Sequence, residues 1–117
     1  MIKSSKQSTI QTIKNHKGGK GEVQINHILE GDQLKGTSKL FARVVLGKGV
    51  SIGLHEHKDD YEVYYILKGL GMVTENDSNS IVGPGDVIYT ADGNFHAVEN
   101  IGEGNLEFIA LIVAENF

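Results

Sequence analysis

The sequence predicts an all-β fold, a sandwich or barrel of short strands. Two observations carry this. From about residue 22 onward, apolar residues alternate with polar ones at a period of two. Clusters of Gly, Asn and Asp punctuate the alternation at the spacing of hairpins. No ten-residue window carries a helical stripe.

In chain order, the expected strands are 22–29, 39–46, 50–57, 61–67, 71–75, 80–82, 86–90, 95–99 and 106–113. Each is rich in Val, Ile, Tyr or Phe, which fit a pleated, half-buried surface. The intervening turn signals include Gly47-Lys-Gly49, Lys58-Asp-Asp60, Asn76-Asp-Ser-Asn79 and Gly83-Pro-Gly85. Only the polar head, around Thr9–Lys14, is assigned a short helical turn. The chain divides into a polar, basic N-terminal segment, 1–20, and a β-barrel domain, 21–117.

Composition narrows the function classes. The 117 residues are enough for one core, and the 15 glycines fit many turns. There is no Cys, so disulfides and thiolate metal sites are excluded. The first residues hold no long apolar block, which leaves a cytoplasmic location without membrane as the expectation. Residues 1–21 carry five Lys and no acid, while the rest carries six basic and fifteen acidic side chains. An acidic body argues against nucleic acid as a partner. The basic head is read as a solvated or partner-packed tail in preference to an anion-binding element.

The chemistry gathers in GLHEHKDDYEVYYILKG, residues 53–69. On a strand, residues two apart share a face, so His55 and His57 project together with Ser51 and Gly53, and Ile52 and Leu54 project oppositely. Glu62 has the wrong parity to join the histidines unless the chain reverses at Lys58-Asp59-Asp60. His96, on a later strand, would complete three imidazoles and one carboxylate. Such a set suits a divalent transition metal and leaves positions open to water or substrate. Tyr64 and Ile66 share the inward parity, and Tyr64 is a candidate substrate contact or simply a ring filling the barrel. Parity does not decide whether Phe41, Met72, Leu106 and Phe108 line the cavity or the core. Glu56, Asp59 and Asp60 are read as a solvated turn in preference to an acidic rim that attracts cations, and His16 and His27 as surface residues. On its own, a His-x-His pair on a strand is common without metal.

The surrounding glycines add to this reading. Gly49 is followed by His55-x-His57, Glu62 and Gly69, and Gly85 by Gly93, His96 and Asn100. This resembles the two signature motifs of the cupin superfamily, with Ala91 where the family usually has Pro. The short span between motifs is like that of small single-domain cupins. The resemblance implies a double-stranded β-helix, a jelly-roll barrel of two antiparallel sheets. It implies that His55, His57, Glu62 and His96 bind one divalent transition metal (Mn, Fe, Ni, Co or Zn) inside the barrel. It gives Gly49, Gly69, Gly85 and Gly93 turn roles, and Asn100 a hydrogen-bonding role. It also implies a homodimer, with the N-terminal segment at its interface. Three functions fit: a metalloenzyme acting on a small oxygenated metabolite such as a carboxylic acid, sugar derivative or diketone; a non-catalytic binding or sensing module on the same metal; or a merely structural ion. The small-molecule ligand is shared by the first two.

Overall fold

A computed structural model describes residues 1–115. Its ten strands form two antiparallel sheets, as a jelly roll requires. They are β1 (Thr9–Lys14), β2 (Glu22–Leu29), β3 (Ser38–Leu46), β4 (Ser51–His57), β5 (Asp60–Lys68), β6 (Gly71–Glu75), β7 (Ser78–Val82), β8 (Val87–Thr90), β9 (Asn94–Asn100) and β10 (Leu106–Ala114). The larger sheet runs β1-β2-β3-β10-β5-β8 and the smaller β4-β9-β6-β7. Sequence neighbours β4 and β5 thus lie in different sheets, and the chain crosses between layers at Lys58–Asp59.

The alternation has its expected cause. Val23, Ile25, Val44, Leu46, Ile66 and Phe108 point inward from the larger sheet, and Ile52, Val73 and Val98 meet them from the smaller. Burial of these apolar faces supplies the main driving force for the sandwich. Leu106 and Phe108 are core residues, whereas Phe41 has the outward parity of its strand. All four framing glycines have positive φ, from 75° at Gly49 to 92° at Gly69. Asn100, buried, donates through Nδ2 to the carbonyls of Leu46 and Gly104 and accepts from the Gly102 amide.

Two expectations are corrected. Thr9–Lys14 is a strand, not a helical turn: it pairs antiparallel with β2 from Thr9↔His27 to Lys14↔Glu22. Its four β-branched residues favour that pairing. The simple parity of β4 also fails. Its register with β9 shifts between Ile52 and His55, so Ile52 and the two histidines all face inward. Ser51 is displaced from the interior face and accepts a hydrogen bond from the Lys20 amide at 2.9 Å.

Candidate metal centre

Both sheets contribute to the site. His55 and His57 end β4, His96 lies on β9 beside them, and Glu62 comes from β5 across the sandwich. The reversal that Glu62 needs is made at Asp59, whose φ is 63°. The structure brings the four predicted side chains together, with one donor atom from each lying within 4.8 Å of the others.

Each ring is held by its Nδ1. That of His55 lies 2.7 Å from the Gly53 carbonyl, that of His57 2.8 Å from Asp60 Oδ1, and that of His96 2.8 Å from Thr90 Oγ1. A carbonyl and an ionised carboxylate only accept, so Nδ1 carries the hydrogen in the neutral rings of His55 and His57. Their Nε2 lone pairs then face the centre. Asp60 is itself fixed, accepting from Lys39 Nζ at 3.0 Å. It is therefore no solvated turn residue: it is buried, because the reversal turns its side chain back onto His57. Asp59 and Glu56 remain exposed.

The donors crowd one point. His96 Nε2 lies 3.1 Å from His57 Nε2, 3.0 Å from His55 Nε2 and 2.9 Å from Glu62 Oε1. His57 Nε2 is 3.0 Å from the same oxygen and His55 Nε2 is 3.8 Å away. Lone pairs and a carboxylate repel at such range unless a positive charge sits among them. Glu62 Oε1 is buried with no hydrogen bond of good geometry. A cation about 2.1 Å from every donor sets donors at right angles about 3.0 Å apart. The donor set therefore fits a transition metal, and these residues could hold one.

Electrostatics follow from burial and neighbours. Burial would raise the Glu62 carboxyl, but the three imidazoles beside it hold it well below the usual carboxylate range. Burial opposes charge on His57, yet the Glu62 and Asp60 carboxylates outweigh it and raise its pKa. In His96 burial wins and lowers the pKa. Asp60 resists burial through His57 and Lys39 and is shifted down. Burial pushes the Tyr64 hydroxyl well above the ordinary phenol value, with Glu62 adding to the effect. The Tyr64 ring stacks on His96 at 5.0 Å and packs against Phe108 at 4.3 Å.

A cavity of about 260 Å³ adjoins the cluster, lined in part by His16, Lys17, Lys39, Glu56, Tyr64 and Ile52. It is smaller than the roughly 300–1,000 Å³ typical of drug-sized ligands, so it suits a molecule of few atoms. His16 is thus not a plain surface residue: it is half-buried on the cavity wall. Burial, Lys17 and His55 lower its pKa. Sequence pattern gave no sign of this, because His16 reaches the site through a loop contact rather than a strand. His27 lies at the sheet surface, 2.9 Å from Gln11 Oε1.

Comparison with known proteins agrees with this architecture. The profile of the Cupin domain family matches residues 42–112. An oxalate-binding protein of Thermotoga maritima is 41% identical over 113 residues, covering 97% of this chain and 93% of its own. A crystal structure of a predicted oxalate decarboxylase from Thermotoga maritima superposes with a TM-score of 0.92 at 40% identity, covering 97% of this chain and 99% of that one. KdgF from Halomonas sp. shares the fold alone, with a TM-score of 0.73 at 15% identity over 92% of this chain and 87% of its own. No described helix is long and apolar enough to cross a membrane. With its matched profile, its two-sheet roll and its clustered imidazoles and carboxylate, the chain belongs to the cupin family.

Proposed function

We propose that the protein binds a small carboxylate, of the oxalate class, at a divalent transition metal held by His55, His57, Glu62 and His96. The observation that carries this reading is the convergence of four donor atoms, three of their Nε2–Nε2 and Nε2–Oε1 separations being 2.9–3.0 Å, at the wall of a small cavity. The bound metal would act as a Lewis acid that polarises ligand oxygens. The protein's own part is to fix the ring tautomers through Gly53, Asp60 and Thr90, and to exclude bulky ligands by cavity size. Tyr64 supplies a rigid, buried aromatic wall beside the metal ligands and a hydroxyl for ligand contact. The name of the Thermotoga maritima relative, an oxalate-binding protein, supports this ligand class.

Binding without turnover is the better-supported form. Asp60 is committed to His57 and Lys39, and Glu62 to the cluster. A structural ion alone fits less well, because a purely structural site does not need an adjoining cavity. A second reading, metalloenzyme turnover, draws on the similar Thermotoga maritima structure, described as a predicted oxalate decarboxylase.

The test is elemental analysis of protein purified without a polyhistidine tag, followed by calorimetric titration with oxalate. Near-stoichiometric transition metal is expected, with oxalate binding that disappears in the metal-stripped protein and in His96→Ala. Release of CO₂ and formate from oxalate, lost on removal of the metal, would favour turnover. A wild-type protein without metal, or binding oxalate equally well when stripped, would overturn the reading. A homodimer is also proposed, supported by the exposed apolar side chains of Tyr65, Val87 and Tyr89 on the larger sheet.

A further inference from the structure

The loop between β1 and β2, residues 15–21, is built against the site. Its backbone is closed by Asn15 N donating to the Gly21 carbonyl at 2.9 Å and Gly19 N to the His16 carbonyl at 2.9 Å. It is clasped to β4 by reciprocal bonds: Lys20 N donates to Ser51 Oγ, and Ser51 N donates to the Lys20 carbonyl, both at 2.9 Å. The two backbones touch so closely that a Cβ on Gly19 would lie 2.1 Å from the Ser51 oxygen, and one on Gly53 would lie 2.1 Å from the Lys17 oxygen. Asn15 and Lys17 both hold left-handed conformations, with φ of 53° and 55°. Side-chain-bearing residues take that region at a cost, which the surrounding contacts must offset.

The clasp holds His16 and Lys17 at the cavity wall that also carries His55 and Glu62. Among the described residues, neither side chain makes a hydrogen bond or an ion pair. Lys39, the other cationic group on that wall, is taken by Asp60. A loop ordered this tightly, with an unengaged imidazole and ammonium among the residues on the wall of a small cavity, has the form of a recognition element.

We propose that His16 and Lys17 recognise the outward-facing oxygens of a short dicarboxylate whose inner oxygens face the four-donor cluster. This inference rests on the small-carboxylate reading of the site and names what selects the ligand within that class. A monocarboxylate offers the cluster its two oxygens and leaves nothing for the loop. An oxalate-like dianion has a second pair of oxygens, and burying these without donors is costly. The imidazole and ammonium supply charge-assisted hydrogen bonds at that end. The basic head of the sequence thereby becomes an anion-binding element contributed to the barrel from outside its signature motifs.

The test titrates Mn²⁺-loaded wild type, His16→Ala, Lys17→Ala and Lys17→Arg with oxalate and with formate, and measures the manganese content of each. His16→Ala and Lys17→Ala should each weaken oxalate binding by about tenfold or more, the size expected for a lost hydrogen bond to a charged group. Manganese content and formate binding should stay as in wild type, and Lys17→Arg should recover most of the oxalate affinity. Unchanged oxalate affinity in both alanine variants overturns the inference while leaving the site reading intact. So does a parallel loss of formate affinity, because the loop would then not distinguish the two ends of the ligand. If wild type takes up none of Mn²⁺, Fe²⁺, Co²⁺, Ni²⁺ and Zn²⁺, or binds metal but no oxalate, the site reading fails and this inference falls with it.

Discussion

Asp60 shows how much of the centre depends on residues that never reach its middle. Its carboxylate fixes the tautomer of His57 from one oxygen and accepts Lys39 on the other. Asp60→Asn keeps the shape but removes the charge and offers an amide that can donate where only an acceptor serves. Metal affinity should fall about 10–100-fold, as is typical when such a partner is lost, with the far-ultraviolet spectrum unchanged; competition against a chromophoric chelator measures it. The four central residues were legible because motif spacing and ligand chemistry both pointed to them. Asp60, Thr90 and His16 were not, for three different physical reasons. Asp60 required knowing that the chain folds back three residues after His57. Thr90 required the pairing of two sheets, and His16 required a loop contact with no periodicity. The signal for Asp60 was present, since an acid beside a His-x-His turn is a candidate hydrogen-bond acceptor.

Strands read from a period of two are reliable only while the period holds. On β4 it breaks at Gly53-Leu54, where the register with β9 shifts, and every inward assignment upstream of the break reverses. A glycine within a strand is a cue to a bulge or a close backbone approach, and Gly53 is both. The misassigned β1 has another cause: a polar, edge-paired strand has no buried face, so only its β-branched composition marks it. The clasp between this hairpin and β4 can be tested directly. Gly53→Ala places a methyl where the Lys17 carbonyl sits. Overpacking of this kind typically costs about 1–3 kcal/mol, so the urea midpoint should drop. Metal uptake should persist, because alanine keeps the main-chain carbonyl that holds His55 Nδ1. Oxalate affinity should fall, because the loop is pushed away. Equal stability to wild type would show that the backbones are not in contact in solution.

For the whole molecule, fold class was legible because nine of the ten strands announced themselves by alternation and turns. The order of strands within the sheets was not, since pairing joins residues far apart in sequence, such as Asn100 with Gly71. The core is built from apolar side chains of both sheets, whose burial is the main driving force for folding, so chelation should lower the melting temperature without abolishing cooperative unfolding. Metal at a hundredfold excess over its dissociation constant contributes about 2.7 kcal/mol, a shift of roughly 10 °C for a domain of this size. Differential scanning calorimetry with and without EDTA checks it. Loss of the unfolding transition on chelation would instead assign the ion a structural role.

The four donors do not belong to one layer: Glu62 stands on the larger sheet and the imidazoles on the smaller, and the bonds from Asp60 to His57 and from Thr90 to His96 also run between layers. An ion gripped there is a rivet through both halves of the roll. Loading it should slow amide exchange in β5 and β9 together, although their backbones share no ladder. Anything that prises the halves apart should, in the same motion, let the ion go.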